Sequence, residues 1–126
     1  MNHQKDKQFQ TDTVATLQYM SPESMKQSVY TPASDVYSFG IVAWELLTEE
    51  DAFGTKSGFE LIDHVVNQKQ KPSLDHLAMD HSLRQLIHSC MSYLPDERPS
   101  ADHICKVLKS LCKKLTSPLS PSLLGN

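Results

Sequence analysis

The chain has 126 residues, 39% of them apolar, and a formal net charge of −3. That is enough for one domain burying roughly two thirds of its unfolded surface, with no acidic or basic excess to select nucleic acid or an anionic membrane as partner. The three cysteines, Cys90, Cys105 and Cys112, form an odd set with no secretory signal ahead of them, which fits a reducing, cytoplasmic setting better than a disulfide framework.

Residues 1–13 (MNHQKDKQFQTDT) are polar, with Phe9 as the one apolar anchor after the initiator, and read as an exposed or disordered lead. An apolar cluster follows in VATLQYM. The Ser21-Pro22 step then stops any preceding helix and starts a short one over 22–27, with Pro22 at its first position. After the loop SVYTP comes SDVYSFGIVAWELLT, residues 34–48. It is too short and too interrupted, by Asp35 and Glu45, to span a membrane, and it lacks the period of two of a half-buried strand. It therefore predicts a helix over 35–48, capped by Ser34 and apolar on nearly all sides, which belongs in the middle of a domain. Gly40 weakens such a helix and is better explained by close packing.

Beyond the turn-rich TEEDAFGTKSG, residues 58–69 predict a helix with Phe59, Ile62, Val65 and Val66 on one face. In 80–93, Asp80 caps a helix whose stripe is Leu83, Leu86, Ile87, Cys90 and Met91. The proline-punctuated LPDERPS leads to a last helix, capped by Ser100, with Ile104, Val107, Leu108, Leu111 and Leu115 inward. Residues 116–126 form a Ser/Pro-rich tail that reads as unstructured. His88 with Cys90, and His103 with Cys105, hint at metal ligands. Residues two apart on a helix point about 200° around its axis, so packed cysteines and surface histidines are the simpler reading. Lys106, Lys109 and Lys113 share a face that reads as solvated.

Three segments, ATLQYMSPE, SDVYSFGIVAWELLT and CMSYLPDERPS, in this order and at these separations, resemble the C-terminal half of a protein kinase large lobe. The resemblance covers residues 14–115 and is closest to the tyrosine-kinase-like group, near receptor-interacting protein kinases or related pseudokinases. It implies a mainly α fold: a partial large lobe with no small lobe, in which the helix over 35–48 is the buried axle. The A-P-E element of the kinase signature set stands here as Ser21-Pro22-Glu23.

By the same resemblance, Glu23 pairs with Arg98, and Asp35 holds the backbone of the catalytic loop. Val42 and Leu46 support the apolar column under the nucleotide. Thr16 matches the threonine beside the substrate hydroxyl in serine/threonine kinases. Ala15 stands where the family favours glycine, and Met91 where relatives often carry tryptophan. Kinase chemistry also needs a Gly-rich loop, a strand lysine, a catalytic aspartate with its asparagine, and a D-F-G metal ligand. Residues 1–22 contain none of these. Mg-ATP, the cofactor of the complete family domain, is therefore not expected to bind this chain. The expected activity is that of a fragment inactive alone, whether a truncated gene model, a splice product or a natural fragment. The expected partners are a protein substrate, a regulatory protein or a chaperone. The alternative is a non-catalytic, pseudokinase-derived interaction module using the helices at 58–69 and 80–93.

Overall fold

The computed structural model describes residues 17–116, which are helix, turn and loop with no strand among them. The polar lead, Thr16 and the Ser/Pro-rich tail beyond Thr116 lie outside the described residues.

Helix α1 spans Pro22–Gln27. Ser21 caps it by accepting from the Ser24 amide, and Pro22, which has no N–H to leave unpaired, opens it. Helix α2, Pro32–Thr48, begins earlier than the sequence reading placed it. Thr31, not Ser34, is the cap. Its side chain accepts from the Ser34 amide while the Ser34 hydroxyl accepts from the Thr31 amide, a capping box with serine in the usual glutamate position. The helix ends at Glu49, which adopts a left-handed φ of 58° and returns its amide to Glu45.

One face of α2 carries the core. Tyr37, Ile41 and Trp44 pack with Phe53, Leu61, Val65, Leu74, Ile87 and Met91. Each large apolar side chain so buried contributes about 1.5–3 kcal/mol. The Trp44 indole N–H, which would otherwise be stranded in this core, donates to the Ser73 carbonyl at 2.9 Å. Gly40 abuts helix α4, His81–Cys90, so closely that an added Cβ would lie 2.7 Å from Met91 Cγ and 2.9 Å from Cys90 Cβ. A second cluster joins Val36, Leu86, Cys90 and Ile104, with Val107 and Leu108 against it.

The opposite face of α2 is not enclosed. Phe39, Val42, Leu46 and Leu47 are exposed, so the helix is buried on one side only and not all around as its composition implied. Helix α4 lies against its Gly40 and Val36, and the segment bearing Tyr19 lies against Ser38 and Glu45.

Helix α3, Gly58–Ile62, continues into a π-helical turn, Asp63–Asn67, closed by the Gln68 amide on the Asp63 carbonyl. The predicted inward face holds at Val65, which is buried, and is corrected at Phe59, which is 91% exposed while Leu61 is buried in its place. The segment carries two apolar stripes, and contact of the π turn with α1 and the core selects the Leu61–Val65 stripe. In α4, Asp80 caps the Ser82 and Leu83 amides, and Leu86, Ile87 and Cys90 are buried. A 3-10 turn at Pro95–Glu97 leads to α5, Ala101–Thr116, whose His103 amide bonds the Ser100 hydroxyl. Leu115, expected inward, is 79% exposed. The sixteen residues of α5 extend about 24 Å and the ten of α4 about 15 Å, so the last turns of α5 overhang their partner.

Candidate functional site

Three segments converge on one guanidinium. Glu23 lies in the first turn of α1, Ala33 in the first turn of α2, and Ser92 and Tyr93 in the connector after α4. Arg98 follows the 3-10 turn. Arg98 Nη1 donates to Glu23 Oε2 at 2.7 Å and Nη2 to Oε1 at 2.8 Å, a bidentate pair between residues 75 apart in sequence. The remaining donors meet carbonyls: Nε reaches Ser92 at 2.8 Å, Nη1 Ala33 at 3.0 Å and Nη2 Tyr93 at 3.0 Å. All five N–H groups of the planar fork are thus engaged, which no lysine could do.

The Arg98 side chain is 0% exposed and that of Glu23 15%. An arginine so fully desolvated is tolerable because its charge is matched and its donors are filled. The guanidinium also lies 5.1 Å from the centroid of the Tyr37 ring, in cation–π contact. Burial by itself would raise the Glu23 pKa. The hydrogen bonds and charge of Arg98, helped by the Ser34 hydroxyl donating to Oε2 at 3.0 Å, outweigh it and hold the carboxyl below its ordinary value.

Asp35, Val42 and Leu46 are not part of this node. They lie along the uncovered face of α2, Asp35 exposed in the first turn, where its charge suits the helix dipole. Phe39, Leu46 and Leu47 form with Leu83, Leu86 and Leu108 an apolar groove of about 210 Å³ between α2, α4 and α5. Thr16 is outside the described residues. Among those residues, no three of His, Cys, Asp and Glu come together as a metal-binding group.

Several participants had not been singled out from sequence. Ser34, assigned as the cap, also binds Glu23. Tyr37 supplies the ring under Arg98. Glu45, visible only as a polar interruption of an apolar run, accepts from the Tyr19 hydroxyl at 2.7 Å and from the Ala52 amide at 3.0 Å. That joins the segment before α1 to the loop after α2. The Ser38 hydroxyl donates to the Tyr19 carbonyl at 2.6 Å and fastens the same segment again. The interruption was the available signal, but nothing in it named the partner.

Chemically, this arrangement is a clasp. It fixes the backbone that enters α1 against the backbone that enters α5, and it presents no nucleophile with an adjacent base. The family model described as protein tyrosine and serine/threonine kinase matches residues 1–108. The serine/threonine/tyrosine-protein kinase HT1 of Arabidopsis thaliana is 35% identical over 109 residues, covering 85% of this chain and 28% of its own length. The dual specificity protein kinase shkC of Dictyostelium discoideum is 38% identical over 100 residues, 79% of this chain and 20% of the relative. The serine/threonine-protein kinase Nek9 of Xenopus laevis is 34% identical over 91 residues, 72% of this chain and 10% of the relative. Across such relatives the chain spans between 6% and 28% of their lengths.

Proposed function

The chain belongs to the protein tyrosine and serine/threonine kinase family, and on that premise we propose that it is the helical scaffold of a serine/threonine-type signalling kinase large lobe. In this reading it holds the lobe's shape and does not itself transfer phosphate. The observation that carries the reading is the clasp of Glu23 and Arg98, which joins the S-P-E segment to the connector before the last helix through a fully engaged guanidinium. Phosphoryl transfer depends on groups that position the triphosphate and its divalent cation. The 126 residues contain no G-x-G-x-x-G and no D-F-G, and the clasp offers neither phosphate cradle nor carboxylate set. The residues present do not fit Mg-ATP, and no step of the reaction is assigned to them.

The test is calorimetric titration of the chain with Mg-ATP, alongside transfer of labelled phosphate to a generic serine/threonine substrate. The expected result is no saturable heat and no transfer. Saturable binding at micromolar ATP would refute the reading. The narrower placement, in the tyrosine-kinase-like group near receptor-interacting protein kinases, rests on the sequence motifs alone. A cytosolic setting is proposed from the three free thiols.

A second reading, a non-catalytic interaction module, is favoured by one feature: Phe59, a large aromatic almost wholly exposed on α3. In that reading α3 and α4 dock a protein substrate or regulator, and the uncovered face of α2 attracts a chaperone. Phe59→Ala should then weaken capture of the docked protein without lowering Tm. Unchanged capture would leave the scaffold reading alone.

A further inference from the structure

A second groove, of about 640 Å³, runs between α4 and α5. It shares Leu86 with the groove between α2, α4 and α5, and no residue with the clasp or with Phe59. Leu86, Val107 and Leu111 give it an apolar floor, Leu86 buried and the other two half-buried. His103, Lys106 and Lys114 line it as exposed side chains. No carboxylate lines it, and its remaining residues are neutral.

Spacing on α5 explains the layout. Residues 103, 106, 107, 110, 111 and 114 succeed one another at intervals of three and four, so they share one face. From His103 to Lys114 that face is about 16 Å long, three turns of helix. Charge is segregated onto the same helix: its four lysines stand against a single acid, Asp102, in a chain whose net charge is −3. Among the described residues the one ion pair is Glu23 with Arg98, so neither Lys106 nor Lys114 is neutralised by a carboxylate. The helix dipole accounts for lysines in the last turn, but it gives nothing to Lys106 in the second.

These features select the occupant. A membrane would need the apolar face of α5 free for insertion, but Ile104 is buried against Leu86 and Cys90, and Leu108 packs there too. A single-stranded nucleic acid would need aromatic side chains for stacking, and none lines the groove. An apolar floor three turns long, rimmed by cations alone, matches a helix with one apolar stripe and acidic flanks. We propose that the α4–α5 groove docks an acidic amphipathic helix of a partner protein. Apolar side chains at i, i+3 or i+4, and i+7 of that helix rest on Leu86, Val107 and Leu111, while its Asp and Glu residues face Lys106 and Lys114.

The experiment titrates a dye-labelled synthetic peptide with the full chain and follows fluorescence anisotropy. The peptide has about 14 residues, with leucine every three or four positions and glutamate and alanine between them. Two control peptides carry the same composition scrambled, and lysine in place of glutamate. Saturable binding of the first peptide alone, weakening as salt is raised, supports the proposal. Lys106→Glu with Lys114→Glu should weaken it about tenfold or more, and Leu111→Gln about tenfold, the factor expected for one leucine lost from the contact. Lys109→Glu with Lys113→Glu makes the same change of charge outside the groove and should weaken it less than about threefold. All four lysines are exposed, so circular dichroism should show both pairs of variants folded. If Leu111→Gln lowers Tm, the lysine pairs decide. Equal binding of the scrambled peptide, or equal loss from the two lysine pairs, overturns the proposal, since general attraction to a basic helix would then suffice. So does the absence of saturable binding. Tighter binding of phosphatidylserine vesicles or of a single-stranded oligonucleotide than of the peptide overturns it as well.

Discussion

Removing Arg98 should unfold this chain more readily than removing Glu23, and the hydrogen bonds of the clasp say by how much. Arg98→Ala strips the Glu23 carboxylate of both charged donors and leaves the Ser92, Tyr93 and Ala33 carbonyls without theirs. Glu23 keeps the Ser34 hydroxyl and some contact with water. Breaking a buried pair from one side costs about 3–5 kcal/mol, and the orphaned carbonyls place this variant at the upper end. Glu23→Ala leaves a guanidinium with three carbonyl partners but no counter-charge, for about 3 kcal/mol. The double variant removes both charges, so its cost should fall short of the sum by about 1–3 kcal/mol. Arg98→Lys should recover only part, because three donors on one point cannot serve a carboxylate and three carbonyls together. Urea denaturation followed by circular dichroism reads these differences, and Arg98→Lys with Glu23→Gln serves where the alanine variants do not fold. Glu23 titrates below its ordinary value in the folded chain, so its contribution is complete above about pH 4.3 and is lost as pH falls through the lowered pKa. The stability gap between wild type and Glu23→Gln should close in that acid window. Additive single variants costing under ~1 kcal/mol each would refute the whole argument, since that is how an exposed pair behaves.

Gly40→Ala should lower stability by about 1–3 kcal/mol although alanine is the better helix former, because the new methyl meets Met91 and Cys90; a raised Tm in thermal denaturation would contradict this. Leu46, 76% exposed on α2, should tolerate Leu46→Lys within about 0.5 kcal/mol while binding of a hydrophobic-surface dye falls; unchanged dye binding would mean the patch lies elsewhere. In a thiol-reagent assay on the native chain Cys105 and Cys112 should react at once and Cys90 only on unfolding, because Cys90 is buried and its pKa is raised to about 11; three fast thiols would mean that α4 does not pack on α2.

Local chemistry was legible along the chain. Ser21 with Pro22 set the start of α1, Asp80 the cap of α4, and the stripe of Leu86, Ile87 and Cys90 the buried side of α4. Caps and helical spacing are interactions between near neighbours, so they survive reading one residue at a time. Gly40 was legible too, as a residue a helix would not choose for itself. Tertiary structure decided whatever depended on a neighbour. Val65 was read as inward from the spacing of residues 58–69, but only docking on α1 and the core chose Leu61 over Phe59 beside it. The composition of α2 implied burial on every side, yet periodicity cannot say how many elements surround a helix, and here they leave Phe39, Val42, Leu46 and Leu47 exposed. Two of the segments that hold Arg98 are 75 and 65 residues away and one is its own connector, and three of its five bonds go to backbone carbonyls that every residue carries, so no sequence pattern distinguishes them. The same holds for Tyr37: its place in the apolar run made it a core residue, and only the packed fold shows a hydroxyl at the end of that ring with no partner of its own.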